Sequence, residues 1–266
     1  MPILLDYSGL FPQVECSIQN MRGLCALDLG AENTFISAKA AKGLKITGEQ
    51  SMQTLGGVET YPTVEIKSLN LGSEQLSTNL KVLVQTEIPT TSGQELIATI
   101  GADAIKDKVT IIDNARILSA SAAIYINPTT AQTSVFKTKG KMLPGSKRPI
   151  IEIKIGNQTA RALIDTHAQS AVTGAFVKNN PELFQLLGRQ QKTDIAGFTK
   201  SYMMAQPTEQ ICIQNQCTKN LWPYMVIPPQ ENIDIILGID YVQQYTWLFD
   251  KKSQQYAAIK KQNMKR

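Results

Sequence analysis

The sequence predicts an all-β protein with a few short helices, arranged as two similar lobes. Short apolar segments lie between turn residues about every ten positions, which is typical of β-barrel-like domains. Helical periodicity is weak and local. The chain has 266 residues, is 42% hydrophobic and aligns with itself. We therefore expect two lobes of roughly 130 residues, each large enough to form its own core.

The two lobes are predicted from a repeat with an offset of 137 residues. Residues 12–31 and 149–168 align without a gap, and six of twenty positions are identical. The identical pairs are Pro12 and Pro149, Glu15 and Glu152, Ile18 and Ile155, Asn20 and Asn157, Asp28 and Asp165, and Ala31 and Ala168. The same register later pairs Gly101 with Gly238, Asp103 with Asp240, and Asp113 with Asp250. A repeat this long indicates a duplicated domain, because solenoid repeats span only about 20 to 50 residues.

Residues 121–147 are predicted to connect an N-terminal lobe, residues 1–120, to a C-terminal lobe, residues 148–266. The region between the copies contains two short strand-like stretches, followed by a piece rich in Lys, Gly and Pro. That composition is typical of a linker. We interpret its basic residues, and those of the tail KKQNMKR, as charges that keep these segments in water.

Strands are predicted in both copies where apolar residues lie between turn signals. In the second copy, PIIEIKIG and TARALID flank Gly156 and Asn157 and form a predicted hairpin. EQICIQNQCTKNL repeats that pattern, and WPYMVIPP is a strand bounded by prolines. The first copy contributes PTVEIKSLNLG and LKVLVQTEI.

Short helices are predicted at four places: TFISAKAAKGL after Asp28, NPELFQLLG after Asp165, ADAIKDK and IDYVQQY. Asp103 and Asp240 lie in the last two segments, and each is expected to cap its short helix. The aromatic residues near the C-terminus are expected to pack in the core or between the lobes. They are Tyr241, Tyr245, Trp247 and Phe249.

The composition indicates a globular protein. The net charge of +5 is spread out and no aromatic and basic face accompanies it, so nucleic acid is not a predicted partner. No run of 18 apolar residues is present, so no membrane span is predicted. The sequence shows no signal-peptide pattern at its start, which fits either a cytoplasmic protein or a mature exported form. The localisation is left open.

The four cysteines form two pairs, Cys16 with Cys25 and Cys212 with Cys217, each on a predicted hairpin. A hairpin can bring the two members of a pair opposite one another, but a disulfide also needs a particular Cβ geometry. Of the two states, we expect the reduced and buried one. No accompanying histidines supply a zinc pattern.

Asp28 and Asp165 form the candidate catalytic pair. An aspartate at the end of a strand is usually a turn former, but both copies of the repeat carry one at the same position. A metal site at His167, the only histidine, would need two or three further ligands at suitable spacing, and none is evident. We therefore expect no metal and no cofactor at these two acids.

With the copies aligned, the recurring features are an apolar run that ends in Asp, a following x-Gly-Ala or its remnant, and later an apolar pair before Gly-x-Asp. These features resemble the retropepsin-like aspartic proteases. LDLGAENTFISAKAAKGL resembles the active-site segment of that family, and DIILGIDYVQQYTWLFDKKSQQYAAI resembles its closing segment. The resemblance implies the acid protease fold, with two closed β-barrel lobes related by a pseudo-two-fold axis in a single-chain, pepsin-like form.

The resemblance implies an aspartic endopeptidase that binds a peptide or protein substrate in an extended conformation. In this family two aspartates face each other, and the resemblance assigns these roles to Asp28 and Asp165. Two carboxylates about 3 Å apart share one proton, because two like charges so close do not both ionise. The ionised carboxylate activates a water molecule, and the protonated one donates to the developing oxyanion. Retroviral enzymes obtain the second aspartate by forming a homodimer. Here the duplication supplies it, so a monomer is expected.

The resemblance also assigns three sets of supporting residues. The active-site loops contain Leu29, Gly30, Ala31 and Thr34 in the first copy, and Thr166, His167 and Ala168 in the second. Flap hairpins that close over the substrate are expected at Leu55, Gly56 and Gly57, and at Ala196, Gly197 and Phe198. The apolar pairs that end in Ile100 and Leu237, just before Gly101 and Gly238, are expected to cross behind the loops and support them.

Three positions depart from the family pattern. After the aspartate the family has Thr or Ser, whose hydroxyl braces the opposite loop; Thr166 keeps it, whereas Leu29 lacks it. The next residue is Gly in the family, whereas His167 places an imidazole beside the carboxylates. Ala171 aligns with Thr34, so a hydroxyl is expected to be missing from the second loop.

Two functions are compatible with these residues. The first is the aspartic endopeptidase. The second is a protease-like protein that keeps the cleft and binds peptides without turnover, and it is motivated by Leu29 and His167.

Overall fold

The computed structural model describes residues 1–8, 11–54, 57–88, 93–193, 199–219 and 222–261. The described residues form three β-sheets with three short α-helices and two 3-10 turns. This architecture confirms the all-β expectation.

The first half of the chain contains twelve strands within the described residues. They are β1 (Ile3–Leu4), β2 (Gln13–Ile18), β3 (Met21–Leu27), β4 (Phe35–Ser37), β5 (Ile46–Thr54), β6 (Gly57–Ile66), β7 (Leu69–Leu71), β8 (Glu74–Ser77), β9 (Leu80–Gln85), β10 (Leu96–Ile100), β11 (Val109–Asp113) and β12 (Ala123–Ile126). A 3-10 turn, Ala102–Ile105, follows β10. Helix α1 (Thr130–Thr133) and strand β13 (Gly140–Lys141) lie in the connector.

The second half repeats this order. Its strands are β14 (Ile150–Ile155), β15 (Gln158–Ile164), β16 (Ala171–Thr173), β17 (Phe184–Thr193), β18 (Thr199–Pro207), β19 (Ile211–Ile213), β20 (Gln216–Thr218), β21 (Tyr224–Ile227), β22 (Ile235–Leu237), β23 (Tyr245–Asp250) and β24 (Gln255–Lys260). Helix α2 (Gly174–Asn179) and a 3-10 turn, Pro181–Leu183, lie between β16 and β17. Helix α3 (Ile239–Val242) follows β22.

The two halves have the same sheet topology. The nine-stranded sheet of the first half has the order β5-β6-β9-β4-β10-β3-β2-β7-β8, and that of the second has β17-β18-β21-β16-β22-β15-β14-β19-β20. Every strand of one sheet therefore has a counterpart at the same place in the other. This equivalence agrees with the duplication that the sequence repeat predicts.

One crossing strand in each half positions the aspartate loop. In the first half, β10 runs parallel to β3, with Ile100 opposite Leu27, and antiparallel to β4. In the second half, β22 lies in the same way between β15 and β16, with Leu237 opposite Ile164. The loops that carry Asp28 and Asp165 leave the ends of β3 and β15, and each is therefore held against a buried strand.

A third sheet joins the halves, with the order β1-β12-β11-β23-β24-β13. Its central pair is β11 with β23, which come from different halves of the chain. Trp247 of β23 is fully buried and donates its indole N–H to the carbonyl of Val242 at 3.0 Å. Its ring centroid lies 5.8 Å from that of Phe249 and 5.2 Å from that of Tyr245. The C-terminal aromatic residues pack in the core, as predicted.

Local helical propensity gave wrong positions for two helices. TFISAKAAKGL contains β4 followed by turns, because β4 is needed between β9 and β10 of the sheet. NPELFQLLG begins with the 3-10 turn and then becomes β17. The helix of this region is α2, whose first turn is capped by the Thr173 hydroxyl accepting from the Phe176 N–H at 3.3 Å. In the connector, one of the two expected strands is β12, and α1 follows it.

The reduced state expected for the cysteines is wrong. Both pairs form disulfides, Cys16 with Cys25 and Cys212 with Cys217, and no cysteine is free. The members of the second pair are direct cross-strand partners in the β19–β20 hairpin. Those of the first pair are diagonal neighbours on β2 and β3. The sequence placed each pair on a hairpin, but only the strand register determines how the Cβ atoms face one another.

We predict that Asp113, at the end of β11, is a major stabilising residue of the sheet between the halves. Its buried carboxylate accepts hydrogen bonds from the N–H groups of Ile117, Leu118 and Ser119 and from the Thr246 hydroxyl, at 2.6 to 2.9 Å. Asp113→Ala should lower the free energy of unfolding by about 2 to 4 kcal/mol in urea titrations, because these donors lose their acceptor. Asp250→Ala, at the equivalent position, should cost less than about 1 kcal/mol because, among the described residues, the Asp250 carboxylate accepts only from Ser253 in an exposed turn. Equal losses would contradict the prediction.

Candidate active site

The two aspartate loops are held by the same backbone hydrogen bonds. The Asp28 N–H donates to the carbonyl of Ile100 at 3.0 Å, and the Asp165 N–H donates to that of Leu237 at 3.0 Å. The other pair of bonds fixes the far side of each loop: Ala102 N–H to Ala31 O at 2.9 Å and Ile239 N–H to Ala168 O at 2.8 Å. The strands that precede Gly101 and Gly238 thus lie directly behind the loops.

Gly101 and Gly238 are required by the close approach of these loops. A Cβ atom at Gly101 would lie 2.5 Å from the carbonyl oxygen of Asn33. A Cβ atom at Gly238 would lie 2.4 Å from the carbonyl oxygen of Ala168. Neither backbone atom can move away without displacing an aspartate loop, so any larger residue would disturb the site.

Asp103 and Asp240 tie the loops to the segments behind them. Asp103 accepts hydrogen bonds from the Thr34 N–H at 3.1 Å and the Thr34 hydroxyl at 2.6 Å. Asp240 accepts from the Ser170 N–H at 3.1 Å and the Ser170 hydroxyl at 2.9 Å. The hydroxyls in turn accept from the N–H groups of Gly101 and Gly238.

Two expectations are corrected by this arrangement. The second loop does not lack a hydroxyl, because Ser170, one residue before Ala171, supplies it. The shift by one position hides this equivalence in an ungapped alignment. Asp103 and Asp240 do not cap the short helices, since neither helix has a side-chain cap bond at its start. Their carboxylates bind Thr34 and Ser170 instead.

Thr166 connects the two loops directly. Its hydroxyl accepts a hydrogen bond from the Leu29 N–H at 2.9 Å and donates to the carbonyl of Leu27 at 2.6 Å. Thr166 is fully buried, and so is the side chain of Leu29 on the opposite loop. Leu29 has no hydroxyl to return the interaction, so it contributes packing at the place where the first loop would otherwise brace the second.

The carboxylates of Asp28 and Asp165 each reach the opposite loop. A Cβ atom at Gly30 would lie 2.0 Å from Oδ2 of Asp165, so the absence of a side chain at Gly30 makes room for that carboxylate. Oδ2 of Asp28 lies 3.8 Å from Nδ1 of His167. Each aspartate also accepts one backbone N–H at Oδ1, from Ala31 at 2.9 Å and from His167 at 2.8 Å. The structure therefore brings the two acids together between the halves.

Burial raises the pKa of both carboxyls. For Asp28, desolvation is the largest cause, and hydrogen bonds from Ala31 and Gly30 and the charge of Arg148 oppose it. For Asp165, desolvation is again the largest cause, and the charge of Asp28 raises the pKa further. Each acid disfavours ionisation of the other. The pair thus retains a proton at pH values where an ordinary carboxyl is ionised.

His167 packs beside this pair. Its ring centroid lies 4.2 Å from that of Phe11, and only 7% of its side chain is exposed. Burial lowers the pKa of the imidazole, and the charge of Asp165 opposes this effect. The two rings are tilted by 43°, and this contact holds the imidazole with its Nδ1 3.8 Å from Asp28. In the first copy, Gly30 leaves the equivalent position without a side chain.

The hairpins expected to form flaps extend from each sheet. β5 pairs with β6 from Ile46 to Thr54, and β17 pairs with β18 from Phe184 to Thr193. Gly57 is the first residue of β6. The remaining expected tip residues lie outside the described residues; they are Leu55, Gly56, Ala196, Gly197 and Phe198.

Arg148 is a charged neighbour of the pair that sequence reasoning missed. Its charge lowers the pKa of both Asp28 and Asp165. It lines a cavity of about 420 Å³ together with Glu32 and Glu231. The sequence predicts solvated basic residues in this stretch, whereas Arg148 is partly buried. The repeat could have indicated that Arg148 belongs with the second lobe and not with the solvated linker, because Arg148 and Phe11 directly precede the aligned prolines.

No three His, Cys, Asp or Glu side chains of the described residues lie close enough together to hold a metal ion. Among the same residues, no helix is long and apolar enough to cross a membrane.

Two family models match the chain in succession. Residues 14–104 match a model described as aspartyl protease, and residues 145–249 match one described as retroviral aspartyl protease. A crystal structure of aspartic proteinase from Irpex lacteus matches with a TM-score of 0.59 at 11% sequence identity, covering 98% of this chain and 97% of that chain. At this identity the likeness shows the fold alone. A search of curated proteins finds no significant match.

The brace at Thr166 should be the most sensitive polar contact of the loops. We predict that Thr166→Val lowers the free energy of unfolding by about 2 to 4 kcal/mol, because the buried Leu27 carbonyl and Leu29 N–H lose their partner. Thr166→Ser keeps the hydroxyl and should cost less than about 1 kcal/mol. Denaturant unfolding of both variants measures the difference. A Ser variant as unstable as the Val variant would assign the effect to the methyl group.

The raised pKa of Asp165 predicts a pH-dependent gain in stability for Asp165→Asn. A carboxyl whose pKa is higher in the folded than in the unfolded state contributes stability below its unfolded value of about 4, and this is lost as pH rises through the folded value. The variant should therefore match the original protein near pH 3 and exceed it by more than about 1 kcal/mol at neutral pH. Thermal unfolding across this range tests the prediction. A constant difference at all pH values would contradict it.

Proposed function

The chain is a duplicated, single-chain member of the retropepsin-like aspartic proteases, and we propose that it is an aspartic endopeptidase in which Asp28 and Asp165 are the catalytic residues. Its family and fold are those of a peptidase. The proposed substrates are extended segments of peptides or proteins. We propose that one chain suffices, with no cofactor and no nucleic-acid partner.

The observation that carries this proposal is the convergence of the two acids. Each carboxylate reaches the third residue of the opposite loop, Gly30 or His167, and each accepts a backbone N–H that fixes its orientation. Burial raises both pKa values, and the charge of Asp28 raises the pKa of Asp165 further. These conditions favour a state in which the pair holds one proton and one negative charge.

This singly protonated state supplies both functions that peptide hydrolysis needs. The ionised carboxylate accepts a proton from a water molecule as the water attacks the scissile carbonyl carbon. The protonated carboxyl donates to the carbonyl oxygen, on which negative charge develops. The rigid loops support this chemistry because Gly101, Gly238 and Thr166 leave the two aspartates little freedom to separate.

The β5–β6 and β17–β18 hairpins are proposed to hold the substrate. Each is an antiparallel pair that extends from the sheet at an edge position. An extended peptide can form β-type hydrogen bonds with such hairpins, while pockets beside the acids select its side chains.

A second candidate function is peptide binding without turnover. It is favoured by the imidazole of His167, whose Nδ1 lies 3.8 Å from Asp28 where the first copy has Gly30. A side chain at this place competes for room beside the carboxylates. Leu29 also favours binding without turnover. It lacks the hydroxyl that would form a second brace, so one restraint on the loops is missing.

We predict that Asp28→Asn and Asp165→Asn each reduce cleavage of a peptide library by at least about 100-fold, since one acid alone cannot supply both proton transfers. Asp107→Asn, at an exposed acid, should retain full activity. Activity of the unmodified protein should persist above the pH at which an ordinary carboxyl ionises, and should fall as pH rises through the raised pKa of the pair.

Mass spectrometry of the peptide products, from acid to neutral pH, measures the cleavage rates of the unmodified protein and of the variants. Cleavage that persists in both Asn variants would exclude the proposed mechanism. Binding of library peptides without cleavage by the unmodified protein would favour the second candidate.

A further inference from the structure

The two sides of the site differ at the residue that precedes each aligned proline. The carbonyls of Pro12 and Pro149 accept equivalent hydrogen bonds, from the N–H groups of Leu27 and Ile164, both at 3.0 Å. Phe11 and Arg148 therefore occupy equivalent backbone positions, one in each half. One of them is a buried aromatic residue and the other a cation.

On one side, aromatic rings fill the space beside the acids. Phe11 packs on His167 with ring centroids 4.2 Å apart, and each is largely buried. On the other side, Arg148 lines the cavity of about 420 Å³ together with Glu32, two residues after Gly30, and its charge acts on both acids. A homodimer would present the same residue on both sides, because its two halves have one sequence. Duplication removes that constraint.

Arg148 is the cation of this cavity that can pair with an incoming anion. Arg161 also lines it, but its guanidinium is bound by Asp234 through Nε at 3.0 Å and through the second nitrogen at 2.9 Å. Lys147 is within 3.7 Å of Glu32. Among the described residues, Arg148 forms no ion pair within 4.0 Å, and its buried Nε has no hydrogen-bond partner.

The charge balance of the cavity favours an anionic side chain. Glu32 is compensated by Lys147, and Asp234 is compensated by Arg161. Glu231 remains, but it is exposed, so solvent screens its charge. Arg148 is partly buried and already acts on both catalytic acids. A carboxylate that enters the cavity would gain charge-assisted hydrogen bonds to a guanidinium that has vacant donors.

We propose that Arg148 is a specificity-determining residue, which makes the cleft prefer a substrate with a Glu or Asp side chain on one side of the scissile bond. The other side has no such preference, because Phe11 stands at the equivalent position and packs on His167. This inference rests on the proposed function, since it names the class of substrate that the same cleft accepts. Such a preference would fix the direction in which the substrate chain runs through the cleft. A cleft with two identical sides would bind the chain equally well in either direction.

The test uses peptide pairs that differ only by Glu or Gln at one position, scanned on both sides of the cleaved bond. The ratio of kcat/KM values within a pair is insensitive to general damage of the protein. For the unmodified protein, we expect a ratio of about 10 in favour of Glu at a position on one side only. Arg148→Met should reduce this ratio to about 1, and Arg148→Lys should retain part of it.

The matched control is Arg22→Met, which removes an exposed arginine about 20 Å from Asp28 along β3. It should leave the ratio unchanged. The ratio of the unmodified protein should also fall as salt is raised to about 0.5 M, because the interaction is electrostatic. This salt measurement needs no variant and decides the matter if Arg148→Met does not fold.

A ratio near 1 at every position, a preference for Lys, or a ratio that survives both Arg148→Met and high salt would overturn this inference. Cleavage that depends on Asp28 and Asp165 would leave the proposed function standing in that case. If no peptide is cleaved, the proposed function fails, and dissociation constants of the same Glu and Gln peptides then decide whether Arg148 selects a carboxylate.

Discussion

The hydroxyl of Thr166 holds the candidate site together, because it bonds two backbone groups of the opposite half of the chain. It accepts from Leu29 and donates to Leu27, on either side of Asp28. The orientation of Asp28 relative to Asp165 depends on this contact. The partner contact from the first loop is absent, since position 29 is an apolar side chain. The duplicated fold therefore depends on one brace, assisted by the close packing of Gly101 and Gly238 behind the loops.

The cost of bringing two acids together is met by the rest of the fold. Two buried carboxyls disfavour ionisation, and this opposes folding at neutral pH. The sheet between the halves offsets that cost. It pairs β11 with β23 and buries Trp247 and Phe249. The site is thus strained electrostatically within a structure that is stabilised elsewhere, which is common where pKa values must be shifted for chemistry.

Duplication also made the two sides of the cleft independent. Gly30 and His167 occupy equivalent places, as do Phe11 and Arg148, yet the members of each pair differ in size and charge. The scaffold residues have stayed equivalent: the carbonyls of Ile100 and Leu237 accept the same loop bonds, and Asp103 and Asp240 bind the same type of hydroxyl. Leu29 and Thr166 are the exception among the residues that hold the loops, because Thr166 forms the brace and Leu29 has no hydroxyl.

The sequence by itself determined the all-β class, the duplication and the equivalent positions of Asp28 and Asp165 in the two copies, because these follow from short-range pattern and from a repeat in constant register. It also located the glycines behind the loops. Only the tertiary structure decided contacts that depend on register and on chain crossing. These include both disulfides, the use of Ser170 in place of the aligned Ala171, and the effect of the Arg148 charge on the pKa values of the two acids. The disulfides depend on strand register within a hairpin, whereas Ser170 bonds Asp240, which is 70 residues away in sequence. A shift of one position in a loop changes which side chain makes such a bond.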